Sequence, residues 1–364
     1  MRRPSPCGGT RRIGCSFSSP ALPALLRRLH FYPALTEART LPHRSGFICR
    51  RILAQRLRSK ARFRSPALLK VNVCVCTFRR PMVETTLRSL DAQRVPDGVT
   101  FDIIVADNDE TASARRLVEA FAATANHTVS YIHAPARNIS VARNACLDAA
   151  DGDWVAFVDD DETADDGWLA AFLHAADDGG FDAVFGPVIV DYPEDAPAWM
   201  KETDIHSTYP RYSRGQIMTG HSGNCLMRRG APAIAAQRFL LDKGRTGGED
   251  TEFFARLRER GAKLGAAPEA IVREALPAER ISYKWLERRW LRAGITRGRH
   301  VERAEGALAR LVALPVQTAK WLTCIGLILL TLPWPARHNM WRLRAAYYRG
   351  MALSVLNARE EELY

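Results

Sequence analysis

The sequence W-V-A-F-V-D-D-D-E, residues Trp154–Glu162, places an apolar run directly before four carboxylates. Such a run predicts a buried strand, Trp154–Val158, with the acids at its C-terminal end. Ligands of open α/β sheets bind outside the carboxyl ends of the strands. Four adjacent carboxylates repel one another, and a hard cation such as Mg²⁺ or Mn²⁺ is the simplest compensation. The stretch therefore indicates a site for a divalent cation and a diphosphate, or else a solvated acidic loop.

Strands and helices alternate on both sides of this stretch. The predicted strands are Val71–Cys76, Phe101–Ala106, Val129–His133, Trp154–Val158 and Asp182–Val190, and the predicted helices are Pro81–Arg94, Ala112–Ala123, Ser140–Ala149 and Trp168–Ala176. This order predicts an α/β fold, with a mostly parallel sheet and helices on both faces. We expect Thr77, Asp107 and Asp159, which end three of the strands, to lie along one edge of the sheet.

No G-x-x-x-x-G-K-[ST] loop is present, and no G-x-G-x-x-G follows the first strand. These absences argue against a P-loop NTPase and against a dinucleotide-dependent oxidoreductase.

The pattern is looser beyond Pro193. Residues Pro193–Arg214 carry Trp199, Tyr209 and Tyr212 among prolines and charges, a composition that favours a loop facing an acceptor. Gln216–Arg229 predicts a glycine-punctuated strand, and Gly247-Gly248-Glu249-Asp250 precedes a predicted helix, Thr251–Arg260. A carboxylate is favoured at a helix N-terminus, so Asp250 is either a helix cap or a functional acid. Helix capping can explain Asp250, but it does not require Glu249 as a second acid.

The C-terminal segment is apolar and basic. Its uninterrupted apolar part, Trp321–Trp334, has 14 residues, fewer than the ~20 that span a bilayer. Trp residues at both ends and the basic flanks favour an interfacial or re-entrant membrane anchor. A buried C-terminal helix is the alternative.

The basic charge is confined to the leader. Residues 1–70 carry 16 Lys and Arg residues and a single acid, whereas the other 294 residues carry 36 basic and 39 acidic residues. The net charge of +12 therefore says little about the main domain, and it argues against a nucleic-acid partner there. Residues 1–69 are expected to be a disordered leader, a transit peptide or the product of a start codon chosen too far upstream. A globular domain, 70–278, and a helical C-terminal segment, 279–364, follow.

The eight cysteines form no C-x-x-C pair. Cys74 and Cys76 alternate within an apolar strand and are expected to be small core residues. The sequence indicates no disulfide framework, which fits a reducing compartment.

Four motifs in order resemble the family-2 glycosyltransferases of the GT-A fold. They are V-N-V-C-V-C-T-F-R-R-P with L-R-S-L-D-A-Q, I-I-V-A-D-N-D, the run A-R-N-I-S-V-A-R-N-A-C-L-D-A-A-D-G-D-W-V-A-F-V-D-D-D-E, and G-G-E-D, within Lys70–Arg299. The resemblance implies a GT-A, Rossmann-like nucleotide-diphospho-sugar transferase domain. The subgroup that the chain most resembles is the bacterial exopolysaccharide transferases, such as the succinoglycan-type glucosyltransferases.

The resemblance also implies a role for each matching residue. Thr77 and Arg79 would line the nucleotide pocket, Asp107 would accept a hydrogen bond from the base, and Arg143 would lie beside the base or the diphosphate. Asp159 and Asp161 would hold the metal, Asp159 and Asp160 the ribose. Asp250 would be the general base, with Glu249 beside it in the catalytic group.

Two positions depart from the family pattern. Ala106 stands where many members have a first acid, and Leu286 occupies the Gln position of a Q-x-x-R-W motif that ends in Arg289-Trp290. The second departure argues against processive synthesis and favours transfer of a single sugar.

The leading hypothesis is an inverting, metal-dependent glycosyltransferase that uses Mg²⁺ or Mn²⁺ and a nucleotide-sugar, most simply a UDP-sugar. Its acceptor would be lipid-linked or a saccharide, at the inner face of the plasma membrane. His221 is either a further metal ligand or an ordinary hydrogen-bonded histidine, and Arg137 either binds phosphate or is solvated. Two alternatives are a sugar nucleotidyltransferase and a basic membrane- or nucleic-acid-binding protein.

Overall fold

A computed structural model describes residues 68–213 and 216–355. The leader expected over residues 1–69 lies outside the described residues, except for its last two positions. The strands are β1 Leu69–Thr77, β2 Val99–Asp107, β3 Val129–His133, β4 Trp154–Asp159, β5 Glu162–Ala164, β6 Ala183–Phe185, β7 Val188–Asp191, β8 Arg211–Ser213, β9 Gln216–Thr219, β10 Asn224–Arg228, β11 Leu264–Ala266 and β12 Val272–Ala275. The α-helices are α1 Val83–Asp91, α2 Arg115–Ala122, α3 Ile139–Ala149, α4 Trp168–Gly179, α5 Ala198–Thr203, α6 Glu249–Glu259, α7 Tyr283–Leu330 and α8 Pro335–Val355.

The main sheet has seven strands in the order β11-β6-β10-β4-β1-β2-β3. Strands β3, β2, β1 and β4 are parallel neighbours, β10 runs antiparallel between β4 and β6, and β11 is parallel to β6. The expected mostly parallel sheet is therefore confirmed, with one antiparallel strand inserted beside β4.

Two apolar layers cover the sheet because side chains alternate along each strand. In β1, Val73 and Val75 pack in a core cluster with residues of α1, α2 and α4. Cys74 and Cys76 face the opposite cluster, which α3 and α6 cover. This arrangement confirms helices on both faces and places the two cysteines in the core.

The single strand predicted over Asp182–Val190 is wrong, because β6 and β7 belong to different sheets. Gly186-Pro187 separates them, and proline cannot donate to a strand ladder. β7 joins β5 and β12 in a three-stranded sheet. The strand predicted over Gln216–Arg229 is likewise two strands, since β9 pairs with β8 and only β10 enters the main sheet.

Helix α6 begins two residues earlier than predicted. Gly248, at φ +85°, is its N-cap, so Asp250 lies inside the first turn. Its carboxylate accepts a hydrogen bond from the Thr251 backbone N–H at 2.6 Å. The first turn carries Glu249, Asp250 and Glu252, where the helix dipole favours negative charge.

Helices α7 and α8 form a hairpin. They approach closely where Gly294 faces the backbone of Tyr347 and Gly350 faces that of Leu291, so that an added Cβ would lie 2.1 Å from either carbonyl oxygen. The Trp321–Trp334 stretch is one-sided rather than buried: Cys324 is 2 % exposed, whereas Leu322, Leu329 and Leu330 are 58–71 % exposed. No helix in the described part of the chain is long and apolar enough to cross a bilayer.

Candidate active site

The predicted strand tips meet at one edge of the main sheet. Thr77 lies opposite Asp107 in the β1–β2 register, and Cys76 lies opposite Asp159 in the β1–β4 register. The expectation that these tips share an edge is confirmed.

Asp107 holds the loop that follows β2. Its Oδ1 accepts from the Asp109 backbone N–H at 2.9 Å, and its Oδ2 accepts from the Ala114 N–H at 2.8 Å and the Tyr131 hydroxyl at 2.9 Å. The residue is 0 % exposed. Three of the roughly four acceptor positions of this carboxylate are therefore occupied within the protein.

Arg79 and Arg137 flank the Phe78 ring at the neighbouring tip. Their guanidinium carbons lie 5.1 Å and 5.8 Å from the ring centroid, close enough for cation–π attraction. Arg79 also pairs with Asp109 at 2.9 Å through Nη2. Hydrogen bonding from Arg79 holds the pKa of Asp109 well below its usual range. The four residues form a charged, aromatic wall beside the end of β1.

The acids after β4 are joined to the loop after β1. The Thr77 hydroxyl donates to Asp160 Oδ2 at 2.8 Å. Arg80 Nη1 contacts Asp161 Oδ2 and lies 3.4 Å from Asp160 Oδ1. Burial is the main cause that raises the pKa of Asp160 to about 7, although Arg80 and Thr77 lower it. The two elements that the sequence assigned to nucleotide and metal binding are therefore in direct contact.

Asp159 and Glu162 border the same acidic site. The Asp159 side chain is 45 % exposed, whereas Glu162 is buried and accepts the Asp159 backbone N–H at 3.3 Å. Desolvation, and then Asp159, Asp161 and Glu274, raise the pKa of Glu162 well above its ordinary value. Desolvation also raises the pKa of Asp159, which Arg143 opposes.

Arg143 connects Asp159 with the start of α6. Its Nη1 lies 2.5 Å from Glu249 Oε1, and its Nη2 lies 3.7 Å from Asp159 Oδ1. Desolvation lowers the pKa of the Arg143 guanidinium, but Glu249 and Asp159 raise it more, and the group stays charged. Burial, and then Glu249, raise the pKa of Asp250 to about 6, and Arg143 opposes them. Asp159, Glu249 and Asp250 are thus grouped around one buried cation.

Other residues reach this group without an obvious sequence motif. Arg280, in a 3₁₀ turn at Ala278–Arg280, contacts Glu274 and lies 3.9 Å from Asp161 Oδ2. Its guanidinium carbon is 5.6 Å from the Trp285 ring centroid at the start of α7. In the sequence, only the position of Glu274 near a strand end, two residues before Leu276-Pro277, could have suggested that Glu274 belongs to the site. Arg80 stands in the quoted T-F-R-R-P, beside Arg79, and its position next to the predicted nucleotide pocket could have identified it.

The predicted acceptor-facing loop divides into two parts. Tyr209 and Tyr212 are 50 % and 56 % exposed. Trp199 packs instead against a small apolar cluster that includes Leu286 and Leu343. Leu286, the residue at the Gln position of the Q-x-x-R-W pattern, is completely buried.

The carboxylates suit a hard cation in their chemistry. Gly223 leaves space over two of them, since a Cβ at position 223 would lie 2.8 Å from Asp159 Oδ2 and 3.1 Å from Glu162 Oε1. Among residues 68–213 and 216–355, however, no three His, Cys, Asp or Glu side chains converge on one point, and His221 belongs to no such group. The residues fit an Mg²⁺-like ion that one or two carboxylates and substrate phosphates hold together, rather than an all-protein cage.

Comparisons with known proteins agree with this geometry. The family model described as glycosyl transferase family 2 matches residues 72–232. The chain is 41 % identical over 296 residues to the succinoglycan biosynthesis protein ExoM of Rhizobium meliloti (strain 1021), covering 81 % of this chain and 96 % of the relative.

The chain belongs to glycosyl transferase family 2.

One solved structure supports the same fold. The mannosyltransferase PcManGT from Pyrobaculum calidifontis, in complex with GDP-Man and Mn²⁺, superposes with a TM-score of 0.52 at 19 % identity, over 85 % of this chain and 94 % of the other. TarS 1–349 of S. aureus, in complex with UDP-GlcNAc, matches with a TM-score of 0.46 at 16 % identity, over 78 % and 92 %. Membership of a glycosyltransferase family makes the protein an enzyme, and it decides against the nucleotidyltransferase and the non-enzymatic binding protein.

Proposed function

We propose that this family-2 enzyme is an inverting glycosyltransferase that takes a sugar from a nucleotide-sugar and adds it to a lipid-linked or saccharide acceptor in exopolysaccharide synthesis. The observation that carries the proposal is the grouping of Asp159, Glu249 and Asp250 around Arg143, at the edge where β1, β2 and β4 end. The 41 % identity to ExoM, a succinoglycan biosynthesis protein, supports the exopolysaccharide pathway.

The donor occupies the edge formed by the loops after β1, β2 and β4. Phe78, with Arg79 and Arg137 beside it, offers a ring and two guanidinium groups to the base and phosphates. Asp160, which Thr77 orients, accepts from the ribose hydroxyls. Asp107 contributes through the loop that it holds and offers the remaining acceptor position of its carboxylate to the base. The sequence favours a UDP-sugar as donor.

Asp159 and Asp161 would hold Mg²⁺ or Mn²⁺. The bound ion supplies Lewis-acid stabilisation of the departing diphosphate. Arg143 stabilises the same region from inside the protein, because its guanidinium lies 3.7 Å from Asp159 while Glu249 holds it in place. Glu249 therefore acts in the catalytic group by positioning Arg143.

Asp250 removes the proton from the acceptor hydroxyl. Its pKa of about 6 leaves it mostly ionised at neutral pH, yet makes it a stronger base than a solvated carboxylate. The oxygen of the acceptor then attacks the anomeric carbon from the face opposite the diphosphate, and the configuration inverts. One general base is sufficient for this displacement, and no covalent enzyme nucleophile is needed.

The α7–α8 hairpin contacts the inner face of the plasma membrane. The last part of α7 and the turn that follows it expose apolar residues, namely Leu322, Ile325, Leu329, Leu330, Leu332 and Trp334. Residues 311–355 contain five Lys and Arg residues and no Asp or Glu, which complements anionic lipid headgroups. A membrane-bound enzyme of this kind would meet a lipid-linked acceptor at the bilayer surface.

The test is a thermal-shift and transfer assay on the purified protein. UDP- and GDP-sugars are supplied with and without Mn²⁺, and membranes from an exopolysaccharide-producing bacterium supply the acceptor. We expect one nucleotide to raise the melting temperature in the presence of Mn²⁺, and its sugar to enter the lipid fraction with inverted anomeric configuration. Retention of configuration, or pyrophosphate release without sugar transfer, would contradict the proposal.

A further inference from the structure

Arg80 supplies positive charge to the acidic cluster from its solvent side. Its Nη1 contacts Asp161 Oδ2 and lies 3.4 Å from Asp160 Oδ1. The Arg80 side chain is 42 % exposed, whereas the side chains of Asp160 and Asp161 are 9 % and 14 % exposed. The carboxylates are therefore fixed in the protein, and the cation approaches them from outside.

The cluster needs such a cation. Asp159, Asp160, Asp161 and Glu162 are four consecutive carboxylates, and Arg280 brings a fifth, Glu274, beside Asp161. Arg280 offers only partial relief, because its Nη2 lies 3.9 Å from Asp161 and its Nη1 is engaged by Glu274. Partial burial lowers the pKa of the Arg80 guanidinium, but Asp160 and Asp161 raise it more.

Arg80 differs from the two arginines near it in how it is held. Arg143 is 8 % exposed and closely paired with Glu249, so it belongs to the protein interior. Arg79 reaches Asp109 through two nitrogens, Nε at 3.0 Å and Nη2 at 2.9 Å, which anchors the loop after β1. Arg80 uses a single nitrogen for both of its acids and lacks the two-pronged geometry of a strong arginine–carboxylate pair. It can leave without disturbing the loop that Arg79 anchors.

We propose that Arg80 is an exchangeable counter-cation: it balances the charge of Asp160 and Asp161 in the free enzyme and moves to the donor's diphosphate when a divalent ion binds Asp161. The inference rests on the proposed function, since it assumes a diphosphate donor and a divalent ion at Asp161. The exchange of Arg80 couples the binding of the donor to the binding of the ion. Arg80 and the ion compete for Asp161 Oδ2, so the ion alone binds weakly. A nucleoside diphosphate draws Arg80 away and adds phosphate oxygens, so the nucleotide and the ion strengthen each other's binding.

The experiment measures Mn²⁺ binding by electron paramagnetic resonance, with and without UDP or GDP. Wild-type protein is compared with Arg80→Gln, with Arg80→Lys, and with Arg88→Gln as a control. Arg88 is an exposed arginine on α1 that pairs with Glu84 and lies outside the site. Melting temperatures establish that each variant is folded.

Without nucleotide, we expect Arg80→Gln to bind Mn²⁺ about 10-fold more tightly than the wild type, and the enhancement by nucleotide to shrink by a similar factor. Arg80→Lys, which keeps the charge, and Arg88→Gln should stay near the wild-type affinity. The proposal is overturned if Arg80→Gln binds Mn²⁺ no more tightly than the wild type does, or if Arg80→Lys binds it as tightly as Arg80→Gln. Failure of the wild type to bind any nucleotide with Mn²⁺ would instead refute the proposed function, and the inference with it. A wild type that binds nucleotide with Mn²⁺, together with an Arg80→Gln variant whose Mn²⁺ affinity is unchanged, would refute the inference alone.

Discussion

Arg143 and Glu249 form a buried ion pair with an Nη1–Oε1 distance of 2.5 Å, and their side chains are 8 % and 9 % exposed. The pair joins α3, under the donor side of the sheet, to the first turn of α6, which carries Asp250. Because Arg143 also faces Asp159, one guanidinium sets the separation between the proposed metal ligand and the proposed base.

Breaking this pair should destabilise the protein strongly. Arg143→Gln leaves the neighbouring carboxylates without their buried cation, and we expect it to lower the free energy of unfolding by about 3–5 kcal/mol. Glu249→Gln should cost less, because Asp159 and Asp250 remain beside Arg143. The double variant should lose clearly less than the sum of the two. Urea unfolding measures all three, with Arg238→Gln, from the exposed pair with Asp148, as a control that should cost under about 1 kcal/mol. Additive losses would show that the two side chains act independently.

Asp250→Asn should remove most of the transfer rate while donor binding persists. General bases contribute about 10²- to 10⁴-fold, so kcat should fall by that factor and the KM for the donor should change little. Glu259→Gln, at the last position of the same helix, is the matched control and should leave kcat unchanged. A kcat for Asp250→Asn within about 3-fold of the wild type would exclude Asp250 as the base.

The rate should depend on pH through Asp250. Burial, and then Glu249, raise its pKa to about 6. The ionised carboxylate is the active form, so kcat should rise as the pH increases through 6 and level off above 7. Measurement of kcat from pH 5 to 8 tests this, and the residual activity of Asp250→Asn should lack the rise. A rise that persists in the variant would assign it to another group.

The sequence predicted the sheet edge well because its information there is local. Apolar runs of β-branched residues predicted β1, β2 and β4, and the polar residue after each run predicted the shared edge. It failed over Asp182–Val190, where one apolar run serves two sheets. The composition of that run does not reveal that Pro187 ends the pairing of one strand before the next begins.

The main acids of the site and two of its arginines, Arg79 and Arg143, were predicted, whereas Arg80 and Arg280 were not. Arg80 stands in a quoted motif, but it and Arg280 reach Asp161 only because the chain folds the loop after β1 and the turn before α7 against β4. The contacts of Arg280 and Asp161 join residues far apart in sequence, and no spacing rule encodes such contacts. Asp107 differs from them, because its carboxylate accepts hydrogen bonds from Asp109 and Ala114 in the loop that directly follows it.

Asp160 should make the fold less stable at neutral pH than at mildly acidic pH. Its folded pKa, about 7, lies above its ordinary value of 3.8, mainly because of burial. The folded state therefore binds the proton more tightly, and this residue's contribution falls as the pH rises from about 4 through 7. Asp160→Asn, which can still accept from Thr77, should have a melting temperature above that of the wild type at pH 8 and close to it at pH 5. Differential scanning fluorimetry over this range measures the difference in melting temperature between variant and wild type. The same difference at pH 5 and at pH 8 would contradict the prediction.

Substitutions in the α7–α8 turn should release the protein from anionic membranes. Leu329, Leu330 and Trp334 are 66 %, 71 % and 53 % exposed, and burial of such side chains in the headgroup region stabilises binding by about 25 cal/mol per Å² of apolar surface. In flotation with vesicles that contain phosphatidylglycerol, the triple serine variant should lose at least about 10-fold of the bound fraction. Leu241→Ser, an exposed leucine outside the hairpin, should float like the wild type. Binding should also weaken in 0.5 M salt and on neutral vesicles, because residues 311–355 carry five basic residues and no acidic residue. Flotation of the triple variant at the wild-type level would show that another surface contacts the bilayer.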